Sequence, residues 1–397
     1  MENLIDSIKK QSEDQYEQII LFRRYLHANP ELSFQEKTTA SYVTKILNEN
    51  NIPVFEGIEG NGVIGIIEGK TKGKTIGIRA ELDALPIVES TSLGYSSINN
   101  GVMHACGHDI HMASLLGTAI IINNLRANLN GKILLIFESG EEQIPGGAKS
   151  IIDSNIFKQN IPDTMLAFHV LPELVTGKAG FREGQYMASG DEVFITIKGK
   201  GGHAAIPEKT INPIIISSQL ILNLKDFIDK ETPSQIPTIL SFGKIQANGA
   251  TNVIPNEVYI EGTFRTLDED WRLKAHLRIE EISKKTCLSF GGDCEIEIRQ
   301  GYPSIYNNPE LTRMTKEITM QYLDPSNVID LDRRMTTDDF AYFSQIIPSV
   351  FFRMGIGFEN NCNYQLHSST FLANEEILKH SSGLLAWISF NLSSKLK

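Results

Sequence analysis

The run Lys132-Ile133-Leu134-Leu135-Ile136-Phe137 leaves this chain few ways to fold. Five consecutive apolar residues of strand length offer no face to water, as in a parallel strand covered on both sides. Parallel strands need helical crossovers, and the flanking pattern supplies them. An amphipathic helix reads over about 14–26, with Ile19, Ile20, Phe22 and Leu26 on one face and His27 at its end. A turn at Asn29-Pro30 and a second helix over about 36–48 follow. Strand-like runs at 63–68 and 75–79, an apolar helical run from Met112, a helix opened by Gly146-Gly147 and a strand over 165–168 continue the alternation. The pattern predicts an α/β domain built on a mostly parallel sheet.

In open α/β sheets, ligands bind beyond the carboxyl ends of the strands, and here those ends carry chemistry. The strand at 75–79 runs into Ala80-Glu81-Leu82-Asp83-Ala84-Leu85-Pro86. Asp83 there either orients a ligand imidazole, touches a metal, or caps its own turn. The strand at 132–137 leads to Ser139-Gly140-Glu141-Glu142. Adjacent carboxylates repel unless cations or protons hold them, which suggests that one ligates a metal and the other works as a base. The next strand ends in His169.

Between them lies His104-Ala105-Cys106-Gly107-His108-Asp109-Ile110-His111, followed at once by the apolar helix. In an extended segment His104, Cys106 and His108 share one side, and Gly107 permits the sharp turn into the helix. A thiolate and an imidazole two residues apart suit zinc or a neighbouring transition metal better than calcium or magnesium. The plainer alternative is a capped helix N-terminus over a buried thiol.

From about Met187 the pattern becomes strand 193–198, helix 211–228, strands 238–245 and 258–265, helix 269–289 and strand 294–299. That βαββαβ order is the ferredoxin-like unit, inserted into the first domain, whose pattern resumes beyond Tyr302. The expected division is 1–186 with 301–397, and 187–300. At 397 residues and 41% hydrophobic, the chain can bury a core in each. Gly199 to Ala205 is not a phosphate loop, because its glycine spacing differs and no Lys-Ser/Thr follows. His203 reads there as incidental, Asn252 as a loop residue and Arg265 as a strand end. Asp338-Asp339 reads as a helix start, His367 by itself is weak evidence, and a final helix covers about 374–392.

A net charge of -11 argues against a nucleic-acid surface. The polar start and the lack of a long apolar run point to a soluble cytoplasmic protein with no membrane partner. Cys106, Cys287, Cys294 and Cys362 lie too far apart for a zinc ribbon or disulfide framework, and the last three read as ordinary thiols.

Taken as a set, the motifs resemble the amidohydrolase branch of the aminoacylase and carboxypeptidase-type dinuclear metallohydrolases. That group includes hippurate hydrolases, indoleacetyl-amino acid hydrolases and N-acetyldiaminopimelate deacetylases. The matching pieces are Leu26-His27 through Pro30-Glu31-Leu32-Ser33, Arg79 to Pro86, Met103 to His111, Glu141-Glu142, His169, Gly199 to Ala205, Asn252 to Pro255, Glu261 to Arg265 and Leu366-His367-Ser368. The resemblance implies a metal-bearing α/β domain with an inserted dimerisation lid. It implies Cys106, His108, Glu142, His169 and His367 as ligands of two divalent ions, Mn2+ or Zn2+ with Co2+ or Ni2+ as alternatives, and Glu141 as general base. It further implies that His203 serves the partner subunit's site in a homodimer, while Asn252 and Arg265 hold the substrate's carboxylate side. Glu81, Ser139-Gly140, Gln143 and Thr337-Asp338-Asp339 depart from the family pattern, which leaves the acyl pocket open.

The implied reaction is hydrolysis of an N-acyl amino acid to a carboxylate and a free amino acid. The metals would share and acidify a water, and Glu141 would carry its proton to the leaving amine with a pKa raised by its surroundings. His203 would hydrogen-bond the developing oxyanion, with Arg265 on the substrate carboxylate. A dipeptidase with the same site is the near alternative, and a non-catalytic metal-binding or sensing protein the distant one. Glu141 beside Glu142 favours catalysis, because a structural site closes with protein ligands alone.

Overall fold

The computed structural model describes residues 2–58, 60–359 and 364–395. It divides into two compact units: the chain up to Gly184 with Tyr306–Asp332 and the chain from Asp339 onward, and Gln185–Ile305 with Arg333–Asp338. Cys106, Cys287 and Cys294 are buried free thiols, while Cys362 lies outside the described residues.

In the first unit an eight-stranded sheet runs in the order Val54–Ile58, Gly62–Glu68, Asn130–Glu138, Thr71–Glu81, Thr164–Val175, Ser349–Gly357, Ala179–Phe181, Val328–Asp330. The four central strands are mutually parallel, and antiparallel pairings appear only toward the edges. Ile133 to Phe137 are wholly buried, as their unbroken apolar run requires. Each such side chain contributes about 1.5–3 kcal/mol on burial. The helix His108–Asn124 is buried through Ile122, and Tyr16–Ala28, Lys37–Glu49 and Ile377–Lys395 pack against it. Inside this packing Arg23 on Tyr16–Ala28 donates to Asp109 at 2.7 Å, and His27 meets the same carboxylate at 2.9 Å. His27 is therefore a buried partner of Asp109 as well as a helix-end residue.

Three details differ from the sequence reading. The polar start holds a helix, Glu2–Asp14, which packs against Ile377–Lys395 and fully buries Ile8. The strand carrying His169 does not stop near Leu171-Pro172 but continues to Val175. Its pairing with Ser349–Gly357 shifts register between Gly355 and Gly357, so Pro172, which has no N–H to give, falls at an irregularity in the ladder. Asp339 does precede the short helix Ala341–Ile346, but its carboxylate is buried and accepts from Arg79 and from the Ala148 N–H.

The second unit is an antiparallel four-stranded sheet in the order Thr238–Gln246, Glu257–Thr266, Asp191–Lys198, Asp293–Gln300. With helices Pro213–Glu231 and Glu269–Ser289 this is the expected ferredoxin-like βαββαβ order. Val193, Ile195 and Ile197 point inward onto Ile216, Leu220, Leu224, Trp271, Ala275 and Ile279. Asn212 caps the first helix through the Ile214 N–H at 3.0 Å, and Asp268 caps the second through the Trp271 N–H at 2.8 Å. Among the described residues no helix is long and apolar enough to cross a membrane.

Candidate metal centre

Gly107 makes the turn that separates Cys106 from His108. Its φ is +88°, and a Cβ there would lie 2.5 Å from Val170 Cγ2, so any side chain would be both strained and crowded. The turn brings Cys106, at the end of its loop, and His108, at the head of its helix, to the carboxyl ends of the central strands. Glu141 and Glu142 follow the strand Asn130–Glu138, and His169 extends from Thr164–Val175. His367 arrives from a distant loop, with φ +59° and its N–H donating to Ala105 O at 2.9 Å. That left-handed conformation is costly for histidine and is the kind of strain found at functional sites.

The five residues expected as ligands converge within the first unit, together with Glu141. Cys106 Sγ is 3.3 Å from His169 Nε2 and 3.3 Å from His367 Nε2. Glu142 Oε1 lies 3.2 Å from His367 Nε2 and 4.0 Å from His108 Nε2, and Glu141 Oε2 lies 3.9 Å from His108 Nε2. Ligands bonded to a tetrahedral ion at ~2.0–2.3 Å sit about 3.3–3.8 Å from one another, so the donor set has the right spacing.

Hydrogen bonds fix which ring nitrogen faces the cluster. His108 Nδ1 is 2.9 Å from Asp83 O and 3.4 Å from Asp83 Oδ1; His169 Nδ1 is 2.8 Å from Val170 O. Each Nδ1 therefore carries a proton to donate, and in the neutral ring each Nε2 turns its lone pair inward, the orientation a metal-binding histidine needs. His108 Nε2 is buried and has no hydrogen-bond partner among the described residues. Such an orphan inside a set of thiol, carboxylate and imidazole donors fits a cation.

Electrostatics give the same result. Burial, with Glu142 and Glu141 alongside, pushes the Cys106 thiol well above its ordinary range. Burial opposes charge on His108, yet Glu81, Asp83 and Glu142 hold its pKa up to about 10. Both effects express a shortage of positive charge, which divalent ions would supply while binding a thiolate and a neutral imidazole.

Asp83 is fully buried and orients its neighbours: its carbonyl receives His108, while Oδ2 accepts from Ser33 Oγ at 2.7 Å and from the Glu142 N–H at 2.9 Å. Against the cost of burial, these donors hold its carboxyl below the usual range. The sequence reading overlooked Ser33 and His111 in this setting. His111 Nδ1 meets Glu81 Oε2 at 2.7 Å while its Nε2 accepts the Val170 N–H at 3.0 Å, so both ring nitrogens are engaged.

His203, Asn252 and Arg265 belong to the second unit. His203 is exposed on a two-residue strand paired with Val253–Ile254; its Nδ1 accepts the Ala205 N–H at 3.1 Å, which leaves the proton on Nε2. Asn252 adjoins it, its carbonyl accepting the Ala204 N–H at 3.1 Å. Arg265 is half-buried and donates to Met335 O at 2.9 Å; among the described residues no carboxylate pairs with it, and burial lowers its pKa.

Known proteins share both sequence and architecture with this chain. Residues 77–388 match the model of peptidase family M20/M25/M40. The chain is 34% identical to thermostable carboxypeptidase 2 of Saccharolobus solfataricus over 99% of its length and 100% of that protein's. It is 38% identical to the N-acyl-L-amino acid amidohydrolase of Geobacillus stearothermophilus over 77% of its length and 82% of that protein's. The crystal structure of the Bacillus subtilis YXEP protein, a dinuclear metal binding peptidase from the M20 family, superposes with a TM-score of 0.83 at 31% identity, covering 96% of this chain and 99% of that one. The strand-end cluster of thiol, imidazole and carboxylate donors thus lies in a member of the M20/M25/M40 peptidase family.

Proposed function

We propose that this chain is a metal-dependent amidohydrolase that cleaves the amide bond of N-acyl amino acids, releasing a carboxylate and the free amino acid. The observation that carries the reading is Glu141, a buried carboxylate at the cluster, with Oε2 3.9 Å from His108 Nε2, beyond the five donors that the resemblance assigns to metal. A purely structural site has no use for it. The names of relatives, N-acyl-L-amino acid amidohydrolase and N-acetyldiaminopimelate deacetylase among them, support the bond type.

Cys106, His108, Glu142, His169 and His367 would hold two divalent ions, drawn from manganese, zinc, cobalt or nickel, whose Lewis acidity polarises the amide carbonyl and lowers the pKa of water. Glu141 takes the proton from the attacking water and delivers it to the leaving nitrogen. Asp83 keeps His108 in its Nδ1–H tautomer throughout. His203 offers its Nε2–H to the developing oxyanion, and Arg265 clamps the substrate carboxylate beside Asn252. The working form is a homodimer in which His203 serves the partner's substrate, and a thiol ligand suits the reducing cytoplasm.

The Glu141→Gln protein should keep its metal and lose turnover by about 10²–10⁴-fold. Near-normal turnover with metal content intact would overturn the assignment. Mixing His203→Ala with Glu141→Ala subunits should regenerate active heterodimers; no recovery removes the shared site. The carboxypeptidase relative favours peptide cleavage as the second reading. Release of amino acid from dipeptides alone, with N-acetyl, N-benzoyl and indoleacetyl amino acids untouched, would select it.

A further inference from the structure

We infer that Arg79 is a positioning residue for the metal centre, acting on two of its ligand-bearing strand ends at once. The inference rests on the dinuclear reading above. Arg79 and Glu81 are two apart on one strand and so share a face, and Glu81 stands opposite Glu138 in the parallel ladder. Two buried carboxylates in register repel each other, and Asp339 adds a third. The buried Arg79 guanidinium bonds all three, with Nε 2.8 Å from Glu138 Oε2 and its outer nitrogens on Glu81 and Asp339.

Each carboxylate passes the constraint on. Glu138 is the last strand residue before the loop that carries Glu141 and Glu142. Asp339 Oδ2 accepts the Ala148 N–H at 3.0 Å, where that loop enters the helix Ala148–Asp153. Glu81 accepts from His111 at 2.7 Å, His111 accepts the Val170 N–H at 3.0 Å, and Val170 O receives His169 Nδ1 at 2.8 Å. The His111 ring centroid is 4.8 Å from that of His169 and 5.6 Å from that of His108. One guanidinium therefore fixes both ends of the Glu141-Glu142 loop and, through an imidazole, the backbone that aims His169. A lysine ammonium cannot serve three carboxylates in this planar arrangement.

The test uses full-length protein stripped of metal and titrated with Co2+, with affinity measured by chelator competition and the Cys106 thiolate followed by its charge-transfer absorption. kcat and KM are then measured on an N-acetyl amino acid at saturating metal. Folded Arg79→Lys should bind Co2+ about 10–100-fold more weakly, with an altered thiolate band and lower kcat but KM within about twofold. His111→Ala should move the same readouts in the same direction. His111→Gln, whose amide can donate to Glu81 and accept from Val170, should recover part of the loss. Unchanged cobalt affinity and spectrum in Arg79→Lys, or in His111→Ala if the lysine variant does not fold, overturns the inference. Wild-type protein that takes up no cobalt overturns the dinuclear reading instead.

Discussion

Gly107→Ala should destabilise the first unit by about 2–5 kcal/mol. A left-handed alanine costs about 1–2 kcal/mol, and Gly107 holds φ +88°. The new Cβ would sit 2.5 Å from Val170 Cγ2, where carbons rest at about 3.5–4.0 Å, and overpacking of this kind costs about 1–3 kcal/mol more. The chain has two tryptophans, Trp387 in the first unit and Trp271 in the second. In a Trp271→Phe background, urea unfolding followed by fluorescence therefore reports the unit that holds the site. Metal-free protein is needed, because bound ions add their own stabilisation. Val170→Ala by itself opens a small cavity, yet combined with Gly107→Ala it should relieve the overlap, so the double variant loses less than the sum by about 1–3 kcal/mol. Effects that add to within about 0.5 kcal/mol, or a loss below about 1 kcal/mol for Gly107→Ala, would refute the reasoning.

Three further outcomes follow from the same geometry. Asp191 is buried against Arg272 at 2.9 Å and His276 at 2.7 Å; burial raises its pKa, but these partners win and hold it below the usual range. A depressed folded pKa means that its stabilisation is complete above the unfolded value of about 3.9 and is lost as pH falls through the folded one. Trp271 fluorescence should show the second unit weakening on acidification below about pH 4, and Asp191→Asn should be weaker at neutral pH with a flatter acid limb; an unchanged acid limb contradicts this. Chelation should lower the unfolding free energy read at Trp387 by about 2.7 kcal/mol for each ion held at 100 times its Kd, while the Trp271 signal stays put; equal shifts in both units would count against a site confined to the first. Arg265→Lys should raise KM for N-acyl amino acids about 10–100-fold with kcat little altered, and leave carboxylate-free amides unaffected; a kcat defect with KM unchanged would reassign it.

Much of this was legible because the chemistry sits where local rules are strict. An unbroken Ile133 to Phe137 run forces a buried strand, and carboxylates that follow it immediately must lie at a sheet end. Cys106, Gly107 and His108 announce themselves by residue type and spacing alone. His367 does not: nothing local marks it, and it reaches Cys106 only because a left-handed turn and the Ala105 carbonyl place it there. Its proposed role as a ligand comes from resemblance. Arg79 was hidden for a similar reason, since an arginine inside a strand says nothing until Glu138 and Asp339, 59 and 260 residues away, close around it. The helix Glu2–Asp14 was obscured by charge; the Leu4, Ile5, Ile8 spacing was its signal.

The sheet order sets a timetable for synthesis. The strand Thr164–Val175 waits for its neighbour Ser349–Gly357, so its edge stays open until Gly357 has left the ribosome. At about 5–20 residues per second that interval is roughly 10–35 s, long for an unpaired edge that invites pairing with other nascent chains. The second unit's strands and helices, running without a break from Asp191 to Gln300, can form within the gap. His367 emerges ten residues behind the strand that closes the sheet. On the proposed ligand set, metal capture therefore waits until the closing strand has emerged, and a chain cut before that strand keeps an open edge and a donor set lacking one imidazole.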